Sequence, residues 1–121
     1  ENTETLIVIK GGTGASYASS GTLISSPFDT SDPSTVYDSI SWTTSGSGTA
    51  NFQLRTAITE AGLSSASWVG PDGTGASFYT SSGTAIQTEA SAGTEWIQYM
   101  ATLQGDSVST PTLEDVTITY D

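Results

Sequence analysis

Short runs of β-branched and aromatic residues, separated by clusters of Gly, Ser, Thr, Asp and Pro, constrain the fold of this chain most. Residues 50–58 alternate most cleanly between apolar and polar types. One set of their side chains is predicted to share the inner face: Phe52, Leu54, Thr56 and Ile58. Alternation places every second side chain on one face of a β-strand, and these residue types suit a pleated surface. The chain is therefore predicted to be all-β.

Similar runs predict the other strands of the domain. They cover residues 6–9, 21–25, 37–43, 77–80, 84–87, 96–103 and 113–120. Residues 45–49, which are rich in Gly and Ser, are predicted to form a hairpin loop, and residues 61–67 a loop. About seven to nine short strands at regular spacing predict a two-layer antiparallel β-sandwich with a jelly-roll-like arrangement.

Residues 96–103 also allow a helical interpretation. Trp96, Met100 and Leu103 recur at the spacing of an amphipathic helix. The stretch before Gly105 is short, however, and its flanks are rich in Gly and Thr. These features favour a strand, with Ile97, Tyr99, Ala101 and Leu103 on one face.

Charge and composition exclude many functions. Lys10 and Arg55 are the only cations against thirteen carboxylates, which gives a formal charge of −11, and the chain has neither His nor Cys. Two cations cannot form the basic surface that nucleic acid or anionic lipid requires. Without His or Cys, a zinc site, an iron–sulfur cluster, a Cys nucleophile and a Ser-His-Asp triad are excluded. Carboxylate pairs such as Glu89 with Glu95 look like solubilising charges, so we expect no enzymatic activity.

The composition also indicates where the protein resides. Ser and Thr supply 41 residues and charged residues only 12% of the chain, against about 25% charged residues in a typical soluble domain. This balance is typical of secreted and surface proteins. The longest strongly apolar run, residues 6–9, is far shorter than the ~20 residues of a membrane-spanning helix. We expect an extracellular, cell-surface protein without membrane insertion.

Several segments together resemble a β-sandwich module that recurs in bacterial surface proteins and prepilin-like proteins. They are residues 20–30 (SGTLISSPFDT), 40–42 (ISW), 52–57 (FQLRTA), 68–73 (WVGPDG), 96–99 (WIQY) and 110–120 (TPTLEDVTITY). Their succession covers most of the chain. The resemblance implies a laminin-G-like or jelly-roll-like fold displayed on a cell-surface structure, and it transfers no catalytic residue.

The N-terminal segment divides the chain into two parts, residues 1–14 and a sandwich domain of residues 15–121. A strand that is apolar at every position comes first, with Leu6, Ile7, Val8 and Ile9. A glycine-rich hinge follows, with Gly11, Gly12 and Gly14. A strand on such a hinge can dock in its own sandwich or in that of a neighbour, and donation to a neighbour links subunits into a homopolymer. Both possibilities remain open from the sequence.

Two ligand sites are weaker candidates. Asp29, Asp32 and Asp38 are close in sequence and carry the oxygen ligands that calcium prefers, although such residues also end strands through side-chain turns. Trp68 and Trp96 are predicted to be more exposed than Trp42, which alternation places in the core. Exposed tryptophan rings can stack on the sugar rings of a glycan. A carbohydrate-binding or adhesion module is therefore the rival interpretation.

Arg55 falls on the strand face opposite Phe52 and Leu54. Because it is the only arginine of an acidic chain, it is predicted to pair with a carboxylate.

Overall fold

A computed structural model describes residues 2–7, 20–86, 93–105 and 111–121, with the backbone alone described for residues 2–7. This part of the chain contains eight strands and one short helix. They are β1 (Asn2–Ile7), β2 (Ser20–Ile24), β3 (Phe28–Asp29), β4 (Tyr37–Ser45), β5 (Thr49–Ala57), α1 (Glu60–Leu63), β6 (Thr84–Ala85), β7 (Trp96–Gln104) and β8 (Thr112–Tyr120). The all-β prediction is confirmed, and β7 is a strand rather than a helix.

The strands form two antiparallel sheets. The first has the order β1-β8-β4-β6. In the second, β2 and β3 pair in succession with one edge of β7, and β5 pairs with its other edge. Apart from β2 and β3, strands that are consecutive in the chain lie in different sheets. This alternation winds the chain around a single core and gives the predicted jelly-roll-like sandwich.

The same alternation corrects the prediction for residues 45–49. β4 belongs to the first sheet and β5 to the second, so the segment crosses between sheets and does not close a hairpin. Gly46 and Gly48 have φ angles of 86° and 120°, which favour glycine. A Cβ atom on Gly48 would collide with the carbonyl oxygen of Gln104 and the ring of Pro111. The crossing therefore depends on this glycine.

The inner faces of both sheets bury one apolar core. Its members are Tyr37, Ile40, Ala50, Phe52, Leu54, Tyr79, Ile86, Ile97, Tyr99, Ala101, Leu103, Leu113, Val116, Ile118 and Tyr120. Phe52 lies near its centre, with ring centroids 4.4 Å from Trp42 and 5.6 Å from Tyr99. The predicted inner face of β7 is confirmed, as are Phe52 and Leu54 on β5.

The end of β5 departs from the prediction. Ile58 is 69% exposed, and Thr56 is half-buried. The strand ends at Ala57, and Thr59 then caps α1, its hydroxyl accepting a hydrogen bond from the Gly62 backbone N–H at 3.1 Å. α1 lies partly within the predicted loop 61–67. A Thr that precedes Glu60 is an N-cap signal, and it interrupts the alternation before Ile58 can reach the core.

We expect Gly48→Ala to destabilise the fold by about 1–3 kcal/mol, because alanine adopts this backbone conformation only with strain and its Cβ has no space. Gly21→Ala in β2 is the matched control, since nothing lies within 4 Å of its added Cβ. Urea unfolding followed by tryptophan fluorescence measures both variants. Equal stability of the two would contradict the role of Gly48 in the crossing.

Two buried tyrosines differ in whether their hydroxyl group has a hydrogen-bond partner, so removing the hydroxyl should change the free energy of unfolding differently at each. The Tyr37 hydroxyl donates a hydrogen bond to the Thr94 carbonyl oxygen at 3.0 Å. The Tyr99 hydroxyl is buried and has no partner among the described residues, and burial raises the pKa of Tyr99 to about 12. Tyr37→Phe should therefore lower the free energy of unfolding by about 1 kcal/mol, whereas Tyr99→Phe should leave it unchanged or raise it. Denaturant titration of the two variants tests this, and equal losses would refute it.

Candidate functional site

The strongest candidate site lies on the outer face of the second sheet. Alternation along β5 turns Arg55 away from Leu54, the core residue that precedes it in the strand. Arg55 and Gln98 face each other across the β5–β7 pair, and Arg55 Nε donates a hydrogen bond to Gln98 Oε1 at 2.9 Å. Gln98 is only 8% exposed, and its Nε2 donates to the Ser25 carbonyl oxygen at 2.7 Å. A buried amide therefore fixes the position of the arginine.

Trp68 provides the second contact of Arg55. The guanidinium carbon lies 4.3 Å from the centroid of the Trp68 ring, which is a cation–π contact. The residue after Trp68 is anchored to the sheet because Val69 and Leu54 exchange two backbone hydrogen bonds of 2.9 Å. The loop that the sequence predicted around Trp68 thus brings this ring to Arg55.

These contacts correct the predicted partner of Arg55. Within the described residues, Arg55 makes no ion pair with a carboxylate and contacts Gln98 and Trp68 instead. The strand register brings a glutamine, rather than an acid, opposite the arginine. Local sequence does not reveal this register, because residues 55 and 98 are far apart in the chain.

Arg55 separates two surface depressions. The smaller has a volume of about 230 Å³. Its apolar lining comes from Leu54, Val69, Tyr79 and Ile86, and its polar lining includes Arg55, Thr56 and Ser67. The larger, more open depression of about 540 Å³ lies beside Pro27, Glu60, Leu63 and Gln98. The arginine side chain is thus accessible beside a compact, largely apolar space.

A hydrogen-bonded loop, residues 70–77, contributes Gly70 and Gly73 to the wall of the smaller depression. Asp72 Oδ1 accepts hydrogen bonds from the backbone and hydroxyl of Thr74, both at 2.8 Å, and from the Ser77 hydroxyl. The Ser77 and Thr74 bonds hold the pKa of the Asp72 carboxyl below its ordinary value. Gln53, only 5% exposed on β5, donates to the carbonyl oxygens of Gly75 and Ser77, so the loop is fastened to the sheet.

Trp96, the other predicted stacking residue, takes no part in the contact between Arg55 and Trp68. Trp96 begins β7 opposite Ala57, and its side chain is half-buried. Among the described aromatic rings, none of the ring contacts joins Trp96 to Trp68. Trp42 packs on Phe52, in agreement with its predicted core position.

The predicted calcium ligands take part in turns. Asp29 Oδ1 accepts a hydrogen bond from the Ser31 N–H, and Asp32 Oδ1 from the Ser34 N–H, both at 2.8 Å. Asp38 lies in β4 and is half-buried. Within the described ranges, no group of three or more acidic side chains is arranged to hold a metal ion.

Glu95 lies close to Asp29 and Asp32 and interacts with both. A hydrogen bond between its carboxyl and that of Asp29 raises the pKa of Glu95, with smaller contributions from desolvation and from the charges of Asp29 and Asp32. The other member of the carboxylate pair considered from the sequence, Glu89, lies outside the described residues.

The predicted bridging strand is described in part. Leu6 and Ile7 belong to β1, whereas Val8, Ile9 and the hinge residues Gly11, Gly12 and Gly14 lie outside the described residues. β1 is an edge strand of the first sheet, and it pairs antiparallel with β8 from Asn2↔Tyr120 to Ile7↔Val116.

Comparisons of this chain with protein-family models, with curated proteins and with solved structures find no match. The resemblance to a recurring surface module therefore stays a prediction. In the described part of the chain, no helix has the length and apolar character needed to cross a membrane.

Glu95 and Asp72 predict opposite effects of pH on stability. A raised pKa means that the folded state holds the Glu95 proton more tightly, so its contribution to stability is lost as the pH rises above the ordinary value of 4.5. The lowered pKa of Asp72 contributes stability above its ordinary value of 3.8, which is lost as the pH falls.

We expect Glu95→Gln to gain stability relative to the unmodified protein as the pH rises from about 4 to about 7. Asp72→Asn should instead be less stable at neutral pH, and this difference should shrink in acid. Melting temperatures from circular dichroism at constant ionic strength measure both trends. Trends of the same sign in the two variants would contradict the assignment.

Proposed function

We propose that this protein is a non-enzymatic, extracellular structural subunit that builds a pilus-like surface filament by donating its N-terminal strand to a neighbouring copy. The observation that carries the proposal is the position of β1 at the edge of the first sheet, where its pairing is with β8. The low-charge, hydroxyl-rich composition and the resemblance to surface modules support the extracellular setting.

An edge position makes β1 exchangeable. Antiparallel pairing with β8 relies on main-chain hydrogen bonds, which the same strand of an identical chain reproduces. Val116 and Ile118 on β8 are buried in the core, so the partner strand is itself held by core packing. An incoming strand would therefore meet an edge that the remaining sandwich already positions.

The sequence between the strands has the length for such an exchange. Residues 8–19 separate β1 from β2, and twelve residues span at most about 40 Å when extended. Three glycines near the start of this stretch impose little backbone preference. When β1 moves to the next copy, residues 8–19 follow a different path, but β1 still pairs with a β8 strand. Head-to-tail transfer that does not close on itself gives an open filament.

The rival function, a carbohydrate-binding or adhesion module, is favoured by a different observation. Trp68 packs on the guanidinium of Arg55, which lines the smaller depression and belongs to the sheet that does not contain β1. A module of this kind would bind a saturable ligand as a monomer, with β1 retained in its own sandwich.

A pair of cysteines separates the two functions, because the natural chain has none. Thr5 and Thr117 are Cα partners across β1 and β8, a separation that suits a disulfide. In Thr5→Cys/Thr117→Cys, donation joins different chains, and we expect a ladder of covalent oligomers on non-reducing gels that collapses with reductant. High salt should lengthen the ladder because it screens the repulsion between chains of charge −11.

The control is Thr43→Cys/Asp115→Cys, whose positions are partners on β4 and β8 within the body of the sandwich. Without reductant it should give internally cross-linked monomers in low and in high salt. If Thr5→Cys/Thr117→Cys also gives monomers alone, in low and in high salt, strand donation is refuted. Electron microscopy of the unmodified chain should show fibres where the ladder forms.

A further inference from the structure

We infer that Arg55 and the smaller depression form a binding site for a small molecule that carries a carboxylate. Arg55 lies on β5 of the second sheet, and β1, at the edge of the first sheet, contributes nothing to the lining, so the inference does not depend on strand donation. The ligand's carboxylate would bind the guanidinium, and its body would occupy the space of about 230 Å³ beside it.

The guanidinium of Arg55 has hydrogen-bond donors that no described residue uses. Arginine has five N–H donors in a planar fork that suits a carboxylate. In Arg55 the Nε–H is bonded to Gln98, and Trp68 covers one face. Among the described residues, no acceptor is hydrogen-bonded or ion-paired to the terminal nitrogens. Four donors are thus available at a fixed position.

The side chain of Arg55 is held in place before any ligand binds. Gln98 is buried and is itself held by the Ser25 carbonyl oxygen, so it fixes Arg55 Nε at one point of the sheet. The stacked Trp68 ring restricts rotation of the same guanidinium. A ligand therefore meets an arginine whose conformational entropy is already reduced, which favours affinity.

A ligand can reach Arg55 from either of the two depressions that this residue lines. Glu60 lines the larger depression together with Arg55 but forms no ion pair with it. A negative ligand on that side would experience the repulsion of this carboxylate. The polar lining of the smaller depression includes Thr56 and Ser67, whose hydroxyl groups are neutral. Among the residues that line the two depressions, Glu60 is the only acid, so the lining of the smaller depression suits an anion better.

The lining of the smaller depression determines which kind of ligand body fits beside Arg55. The apolar lining of the smaller depression includes Val69 and three core residues, Leu54, Tyr79 and Ile86, which are at most 5% exposed. Binding sites of this kind combine apolar walls with a few polar groups that orient the ligand. The volume suits one compact ring or short chain. A free organic acid and a terminal uronic acid of a glycan share this chemistry.

The test uses the full chain labelled with nitrogen-15. Arg55 is the only arginine, so its Nε–H gives a single, unambiguous resonance. The probes are D-glucuronate, cyclohexanecarboxylate and, as a neutral match, D-glucose. We expect a carboxylate to shift the Arg55 Nε–H and Trp68 indole resonances saturably, whereas glucose leaves both unchanged. Tighter binding of glucuronate would identify the uronate source, and tighter binding of cyclohexanecarboxylate the organic acid.

Arg55→Lys keeps the charge but loses the fork and the Gln98 bond, and it should weaken binding at least tenfold. If that variant does not fold, Thr56→Val provides the second measurement, because it alters the lining while Arg55 stays in place, and it should change the affinity several-fold. Three results would overturn the inference: neither carboxylate shifts the Arg55 resonance, glucose shifts it equally, or a folded Arg55→Lys binds as tightly as the unmodified protein.

Discussion

The nine-residue pairing of β5 with β7, from Thr49↔Gln104 to Ala57↔Trp96, is the interaction on which the rest of the molecule depends. Its register places Phe52 and Leu54 on the inner face together with Tyr99 and Ala101. A slip of one residue would turn each of these side chains to the opposite face. The same register sets Arg55 against Gln98 on the outer face, so the core and the candidate site have one structural cause.

Loops cover part of the outer face of this sheet. Gln53 and Gln98 would be solvent-exposed on a bare antiparallel sheet, yet both are buried. Each compensates for the loss of water by donating to loop carbonyl oxygens, Gln53 to Gly75 and Ser77, and Gln98 to Ser25. Buried amides that are hydrogen-bonded in this way make loop positions depend on strand register. This coupling gives the smaller depression a defined wall.

Alternation predicted what depends on local sequence. It identified β5, β7 and β8, together with the inner face of β7, because the period of two is a direct property of an extended backbone. At residues 45–49 the glycines indicated a loop between two strands, but they could not reveal that β5 joins the other sheet. That choice depends on pairing with β7, which comes some fifty residues later in the chain.

The candidate site was predictable only in its components. The sequence indicates Trp68 as a candidate stacking residue, which the structure shows half-buried, and Arg55 as a residue on the strand face opposite Phe52 and Leu54. Their contact, and the amide that replaces the expected carboxylate, result from the register and from the Val69 bridge to Leu54. The burial of Gln98 also escaped prediction, because glutamine on the polar face of a strand is ordinarily exposed.

Charge then restricts the ways in which this molecule can bind a partner. With a net charge of −11 and two cations, copies of the chain repel one another, and ion pairs cannot hold them together. Self-association must rely on interactions that are independent of side-chain charge, and the main-chain edge between β1 and β8 provides such interactions. Arg55 has the complementary property: its fixed guanidinium is a local positive site on an acidic surface. Among the described residues Arg55 is the only cation, so an anionic group would bind there most readily, on the sheet to which β1 does not belong.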